Sequence, residues 1–216
     1  MKKLWSHVTK CQKLFVVTLV LAGILWMTGF NPVDLGVSPR EVEAATIKYS
    51  GKDGGLNWSL DSEGCLLIEG DGDYISTDSS GEYKKPDWLK HSRGIKTAVV
   101  KVKNITSLKG MFEDCYNLTS VDLKGLDTTK VTNMESVFSD CFDLTSIDVS
   151  NFDTSKVTNM NHMFLSCESI SNIDVSNFNT SKVTDMAGIF NGCSSLPSVD
   201  VSNFDTSKVT RMSSMF

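Results

Sequence analysis

Four aspartates recur at a fixed spacing in the second half of the chain. Asp122, Asp148, Asp174 and Asp200 stand 26 residues apart and are flanked by small polar residues. Carboxylate oxygens bind basic protein groups and divalent cations. We therefore take these aspartates and Ser146 as candidate ligand-binding residues and call them the acidic ribbon. A merely solvated face is the alternative, because the ribbon lacks the Trp, Tyr and Arg that anchor many interfaces.

Four cysteines recur with the same 26-residue spacing, at Cys115, Cys141, Cys167 and Cys193. Zinc ligands within a pair are usually separated by far fewer residues. A disulfide between neighbouring repeats would need the geometry of a crosslink. Both remain alternatives to a simpler interpretation, in which each cysteine is a small buried apolar residue. We expect no metal site and no cofactor.

Catalytic residues are scarce. After the first 45 residues the chain has only two histidines, His91 and His162. The repeat position of His162 is occupied elsewhere by Ser136, Gly188 and Ser214, which predicts an exposed site without a fixed chemical role. No G-x-S-x-G, H-E-x-x-H or P-loop motif occurs. The sequence therefore predicts that the protein is not an enzyme.

The repeat that must position these residues is 26 residues long, and the unit that begins at Leu144 reads LTSIDVSNFDTSKVTNMNHMFLSCES. Ile147 and Val149 alternate with polar residues, which is typical of a short strand. Asp153 is a candidate helix cap. Apolar residues at short helical spacing then predict helical turns. These residues are Val157, Met160, Met163, Phe164 and Cys167.

A single repeat cannot bury its own apolar side chains, so successive repeats should stack and place equivalent residues in columns. Phe138, Phe164 and Phe190 would then form a column inside the protein, with the aspartates facing solvent. We predict an α/β repeat solenoid, a leucine-rich-repeat-like parallel stack. Each coil would hold one short strand and short helical turns, and a small β-hairpin cap would precede the first coil.

The N-terminus predicts a signal peptide over residues 1–45. Basic residues precede an uncharged apolar run, Leu14 to Met27, and a small-residue cleavage site follows at Ala44 and Ala45. An uncleaved N-terminal anchor is the alternative. After cleavage we expect no stable membrane insertion. The net charge of −5 disfavours nucleic acid as a partner, because its binding depends on Lys and Arg.

The register from Cys141 to Val149 resembles the BspA-like leucine-rich repeats of bacterial surface proteins. The FDTSKVTNMxxMFxxC wording from Phe152 to Cys167 is similar to a 26-residue variant of that family. The resemblance covers residues 95–216, where the last repeat is incomplete. Residues 46–94 resemble the N-terminal cap of such repeats, with a hairpin formed by residues 56–60 and 65–70 and a short helix beginning at Pro86.

The resemblance implies a secreted or cell-surface protein of a Gram-positive bacterium. Its function would be adhesion, through a solenoid face that binds a host matrix protein or a bacterial surface protein. The alternative is a structural spacer that displays other domains from the cell wall. The resemblance supplies no catalytic residues.

Overall fold

The computed structural model describes residues 45–216, except residues 75, 76 and 78. Residues 1–44 lie outside this range, so the predicted signal peptide and its cleavage site stay a prediction. Within the described part of the chain, no helix combines the length and the apolar character needed to cross a bilayer.

The first part of the described chain forms a five-stranded mixed sheet with strand order β1-β2-β3-β4-β5. β1 pairs with β2 and β2 with β3 in antiparallel fashion, whereas β3 pairs with β4 and β4 with β5 in parallel. The strands are β1 Ile47–Asp53, β2 Leu56–Asp61, β3 Cys65–Asp71, β4 Thr97–Lys103 and β5 Ser120–Asp122. The turn between β2 and β3 is held by Asp61, whose Oδ1 accepts hydrogen bonds from the backbone N–H groups of Glu63 and Cys65.

A 3-10 helix, Asp87–Gly94, lies between β3 and β4 in the chain. Pro86 precedes it, which suits a residue without a backbone N–H at a helix start. Trp88 is completely buried, and its indole Nε1 donates a 2.8 Å hydrogen bond to the carbonyl oxygen of Met111 in the first repeat. Asp53 at the end of β1 accepts a 2.8 Å bond from the backbone N–H of Asp87. These contacts fix the helix between the sheet and the repeats.

The repeats lie on top of one another, and equivalent residues form columns. The rings of Phe138, Phe164 and Phe190 stack with centroids 5.7 and 5.8 Å apart and are almost parallel. All three side chains are buried. Backbone hydrogen bonds join neighbouring repeats in the same register, such as the 2.9 Å bond from the N–H of Thr158 to the carbonyl oxygen of Thr132.

The prediction of helical turns in each repeat is wrong. His162 and Ser166 have left-handed backbone conformations, with φ of 56° and 55°, which a right-handed helix excludes. Their N–H groups donate to the carbonyl oxygens of Ala187 and Asn191 in the next repeat. Because these bonds replace the bonds of a helix, the apolar stripe lies on a series of tight turns. The same two positions have positive φ in the flanking repeats, at Ser136, Asp140, Gly188 and Gly192.

The predicted strand in each coil is also wrong, and with it the α/β leucine-rich-repeat-like solenoid. In the described residues after β5, parallel pairing is reduced to isolated bridges that join Asn133, Asn159, Asp185 and Arg211. At the corner after the predicted strand, an asparagine side chain makes the hydrogen bonds between repeats that paired strands would make through their backbones. The Asn177 amide donates to the carbonyl oxygens of Val149 and Phe152 at 3.0 and 3.1 Å, and Asn151 and Asn203 repeat this contact.

The small β-hairpin cap is corrected too. β2 and β3 pair around the expected turn, but they are the middle of the sheet and not a separate hairpin. β3 pairs in parallel with β4 from Cys65 opposite Thr97 to Asp71 opposite Lys103. One hydrophobic cluster runs from Leu56 in β2 to Phe190 in the repeats. The division into residues 46–94 and 95–216 is not tested by these contacts and stays a prediction.

Candidate functional site

The acidic ribbon lies on consecutive repeats in one repeated conformation. Asp122 ends β5, whereas Asp148, Asp174 and Asp200 lie outside strands, so the predicted strand face carries only the first of them. The last three are exposed, and Asp122 is half-buried. Each carboxylate accepts a bond from the backbone N–H two residues later. The donors are Lys124, Ser150, Ser176 and Ser202, at 3.1, 3.1, 2.9 and 2.9 Å.

These local hydrogen bonds lower the pKa of three of the four ribbon carboxyls. The Ser150 hydroxyl and N–H, at 2.6 and 3.1 Å from Asp148 Oδ1, lower the pKa of that carboxyl below its ordinary value. Bonds from Ser176 lower the pKa of Asp174, and bonds from Ser202 lower that of Asp200. Hydrogen bonding to a carboxylate favours its charged form. The ribbon therefore presents a row of negative charges at neutral pH.

Ser146 and the repeat lysines complete the surroundings of the ribbon. Ser146 is exposed two residues before Asp148. Lys130 Nζ donates to Asn104 Oδ1 at 2.7 Å, and Lys156 Nζ donates to the carbonyl oxygen of Thr129 at 2.9 Å. Both ammonium groups thus reach back to the preceding repeat, and their hydrogen bonds are not with the ribbon carboxylates.

The structure adds a second column of polar turns that the sequence analysis missed, acidic in three repeats and occupied by Asn179 in the other. Asp153, assigned in that analysis as a helix cap, accepts a 2.9 Å bond from the N–H of Ser155 within a turn, and its pKa is lowered by the hydroxyl and N–H of Ser155. Asp127 and Asp205 have the same arrangement with Thr129 and Ser207. The repeated D-T-S or D-T-T motif was the sequence signal from which these turns could have been predicted. Each repeat from Asp122 to Asp205 therefore contains two turns in which a polar side chain accepts a hydrogen bond from the backbone N–H two residues later.

The four repeat cysteines are free thiols. Each of the last three donates its S–H to a backbone carbonyl of the preceding repeat: Cys141 to Phe112, Cys167 to Phe138 and Cys193 to Phe164, at 3.1–3.2 Å. The thiols therefore link repeats as hydrogen-bond donors, and no disulfide joins them. In the described ranges, no group of three or more His, Cys, Asp or Glu side chains is arranged to hold a metal ion.

We expect the buried thiols to resist alkylation. Burial raises the pKa of Cys115, Cys141 and Cys167 far above the ordinary value, and raises that of the half-buried Cys193 to about 11. The thiolate is the reactive species, so all four thiols should stay largely protonated at pH 8, and only the half-buried Cys193 should react slowly in the folded chain. Mass-spectrometric mapping of iodoacetamide labelling should find Cys193 modified first and the others only after addition of urea. Rapid labelling of Cys141 in the folded chain would contradict this.

Both histidines are half-buried, although the sequence predicted an exposed position for His162. His162 is half-buried rather than exposed, because its imidazole packs against Gly188, where a built Cβ would lie 2.3 Å from the ring. His91 is half-buried in the 3-10 helix and stacks on Tyr49 with ring centroids 3.8 Å apart.

Comparison with known families identifies the repeats. Residues 91–172 and 136–216 match the family described as “Mycoplasma protein of unknown function, DUF285”. Together the two overlapping matches cover more than half of the chain. The chain belongs to the DUF285 family. Both matches fall on the stacked repeats, so the acidic ribbon of this DUF285 protein lies within the region that defines the family.

No curated protein matches the DUF285 chain. One solved structure, described as a leucine rich cell surface protein from Faecalibacterium prausnitzii, is 14% identical to it with a TM-score of 0.25. The alignment covers 72% of this chain, which spans 55% of that protein's length. At this TM-score the similarity carries no argument about fold or function.

Proposed function

We propose that this DUF285 protein is a secreted or cell-surface module that binds a protein partner through the acidic ribbon. The observation that supports it is the repetition of one carboxylate in one hydrogen-bonded turn on successive repeats. These turns lower the pKa of three of the four carboxyls, which favours their charged form. A basic protein surface is the complementary partner.

Binding through the ribbon has to engage several repeats at once. An exposed ion pair contributes only about 0.2–1 kcal/mol, so one aspartate cannot hold a partner. Aspartates fixed in a regular row can be matched simultaneously by basic groups on a single partner. A row of one charge also raises the association rate at low salt. The chain acts as a binding module in this proposal and not as an enzyme.

The resemblance of the FDTSKVTNM wording to the BspA-like variant supports the choice of partner class. A host matrix protein or a bacterial surface protein is the partner that this resemblance implies, and a Gram-positive cell surface is the corresponding location. These assignments belong to the proposal and depend on the same ribbon.

Charge reversal in the ribbon tests the proposal. The double substitution Asp148→Lys and Asp174→Lys should weaken binding to immobilised extracellular-matrix proteins by more than tenfold, measured by biolayer interferometry at physiological salt. The matched control is Asp143→Lys with Glu168→Lys, which makes the same charge change at exposed repeat positions outside the ribbon. The control should bind within about twofold of the unmodified chain. Equal loss in both variants would show a general charge effect and refute the ribbon as the site.

The alternative function is a structural spacer, and the continuous hydrogen bonding between repeats favours it. Thr184, Thr158 and Thr132 form a chain of such bonds, with N–H to carbonyl distances of 2.9 Å. A rigid stack of this kind can hold another domain away from a cell wall. A spacer would bind none of the matrix proteins, and reversal of the ribbon charges would then leave no binding to lose.

A further inference from the structure

A second candidate site lies at the opposite end of the described chain, between β1 and the 3-10 helix. Two adjoining cavities of about 480 and about 360 Å³ open there. Both are lined by Lys48 and Tyr49 from β1 and by Lys90 and His91 from the helix. The stacked rings of Tyr49 and His91 form one wall. We call this space the β1 cleft.

The β1 cleft is basic in an otherwise acidic protein. Lys48, Lys90 and Arg93 line its cavities and are exposed. Its one acidic lining residue, Asp87, is already paired, with Lys84 at 3.3 Å and with Lys90 at 2.8 Å. The chain as a whole has a net charge of −5. A local excess of positive charge attracts an anionic ligand.

A hydrogen-bond donor without an acceptor lies in the lining of the cleft. Trp58 lines the larger cavity and is 8% exposed, and its indole Nε1 is buried with no hydrogen-bond partner in the described structure. The indole packs over Gly51, where a built Cβ would come within 2.9 Å of it. An unsatisfied buried donor is unfavourable and rare in folded proteins. The N–H is closed to solvent in the unliganded chain, so a ligand oxygen becomes its acceptor after a small shift of the indole.

The outer edge of β1 has no strand partner within the described residues. β1 is the terminal strand of the sheet, and its pairing within the described residues is with β2 alone. Residues 47–52 of β1 are exposed. A free strand edge accepts an extended peptide through backbone hydrogen bonds, and an adjacent pocket then takes one of the peptide's side chains. This favours a peptide over a small anion or a sugar.

We propose that the β1 cleft binds an acidic peptide segment. The segment pairs with the outer edge of β1 and places a carboxylate side chain between Lys48 and Lys90. There the carboxylate also accepts a hydrogen bond from the indole N–H of Trp58. The proposal is independent of the acidic ribbon, which carries the opposite charge and lies on the repeats.

Isothermal titration calorimetry of the full chain with hexaglutamate tests the proposal, with hexaglutamine and an oligogalacturonate as comparison probes. Hexaglutamate should bind despite the like net charge of the chain, and hexaglutamine should bind at least tenfold more weakly. The variant Lys48→Glu with Lys90→Glu should lose hexaglutamate binding by more than tenfold. The matched control, Lys182→Glu with Lys208→Glu on exposed repeat positions, should bind as the unmodified chain does.

Trp58→Phe separates ligand binding from packing. It removes the N–H together with the five-membered part of the indole, so hexaglutamate should bind about tenfold more weakly, while a small fall in melting temperature reports the packing lost with the smaller ring. Unchanged binding in this variant and in the Lys48→Glu, Lys90→Glu variant would overturn the proposal.

Other occupants of the β1 cleft have distinct outcomes. Tighter binding of oligogalacturonate than of hexaglutamate would assign the cleft to an acidic sugar. A dimer in sedimentation that the lysine variant dissociates would assign it to a second copy. Either result would overturn the peptide proposal. The ribbon variant Asp148→Lys with Asp174→Lys should bind hexaglutamate at the cleft, so failure of one site is distinguishable from failure of the other.

Discussion

Replacement of Phe164 by alanine should destabilise the protein by about 3–5 kcal/mol, the range found when a large buried aromatic side chain is removed and leaves a cavity. Phe164 is completely buried, and its ring stacks on Phe138 and Phe190 on either side. Removal of the ring therefore interrupts a column that runs through successive repeats. Urea denaturation followed by circular dichroism gives the change in the free energy of unfolding.

The same substitution in the same column provides a matched control. Phe216 stacks on Phe190 with centroids 6.0 Å apart but is 66% exposed. Phe216→Ala removes much less buried surface, so it should cost well under half as much as Phe164→Ala. If the two variants unfolded at the same urea concentration, the buried phenylalanine column would not be the main source of stability in the repeats.

Replacement of Thr154 by valine should cost about 1–3 kcal/mol, because it leaves two peptide groups of part-buried hydrogen bonds without partners. The Thr154 side chain is 1% exposed. Its hydroxyl accepts a 2.7 Å bond from the N–H of Asn179 and donates a 3.1 Å bond to the carbonyl oxygen of the same residue. Thr180 makes the same pair of bonds with Asp205. One hydroxyl thus forms hydrogen bonds with both the backbone N–H and the backbone carbonyl of a single residue in the next repeat.

Thr154→Ser is the control for the lost hydroxyl. Serine keeps both hydrogen bonds and removes only a methyl group, so it should cost clearly less than valine, which keeps the volume and removes the bonds. The measurement is again the urea midpoint. A serine variant less stable than the valine variant would mean that packing of the methyl group, and not the hydrogen bonds, matters at this position.

The columns of the fold could be predicted from the sequence, but the backbone that forms them could not. Spacing alone placed Phe138, Phe164 and Phe190 in one buried stack. Steps of three among Met160, Met163 and the residues that follow also fit a helix, since a turn closed by a bond between residues three apart gives the same spacing. The deciding feature is positive φ at His162 and Ser166; histidine is only enriched in that conformation and serine is not, so these residue types do not specify it. The stronger signals were Gly188 and Gly192 in the next repeat and Asp140 in the preceding one.

The sequence predicted only part of the candidate site, and the reason is similar. The spacing identified Asp148 and its equivalents as a row, and polar alternation placed them outward. The D-T-S wording at Asp153 fits a helix cap as well as an isolated turn, because in both cases a side-chain oxygen accepts a backbone N–H. The β1 cleft was beyond prediction, since Tyr49, Trp58 and His91 are separated in sequence and meet only through sheet pairing and the 3-10 helix.

The bonds from Thr154 to Asn179 and from Thr158 to Thr132 connect each repeat only to its immediate neighbours, always at the same offset. Duplication or loss of one whole unit by recombination would therefore leave every remaining junction chemically identical. Insertion of a few residues would instead misalign the phenylalanine, threonine and asparagine columns together. We expect natural variants of this chain to differ in length by whole units, so that the reach of the acidic ribbon changes in discrete steps while its local chemistry does not.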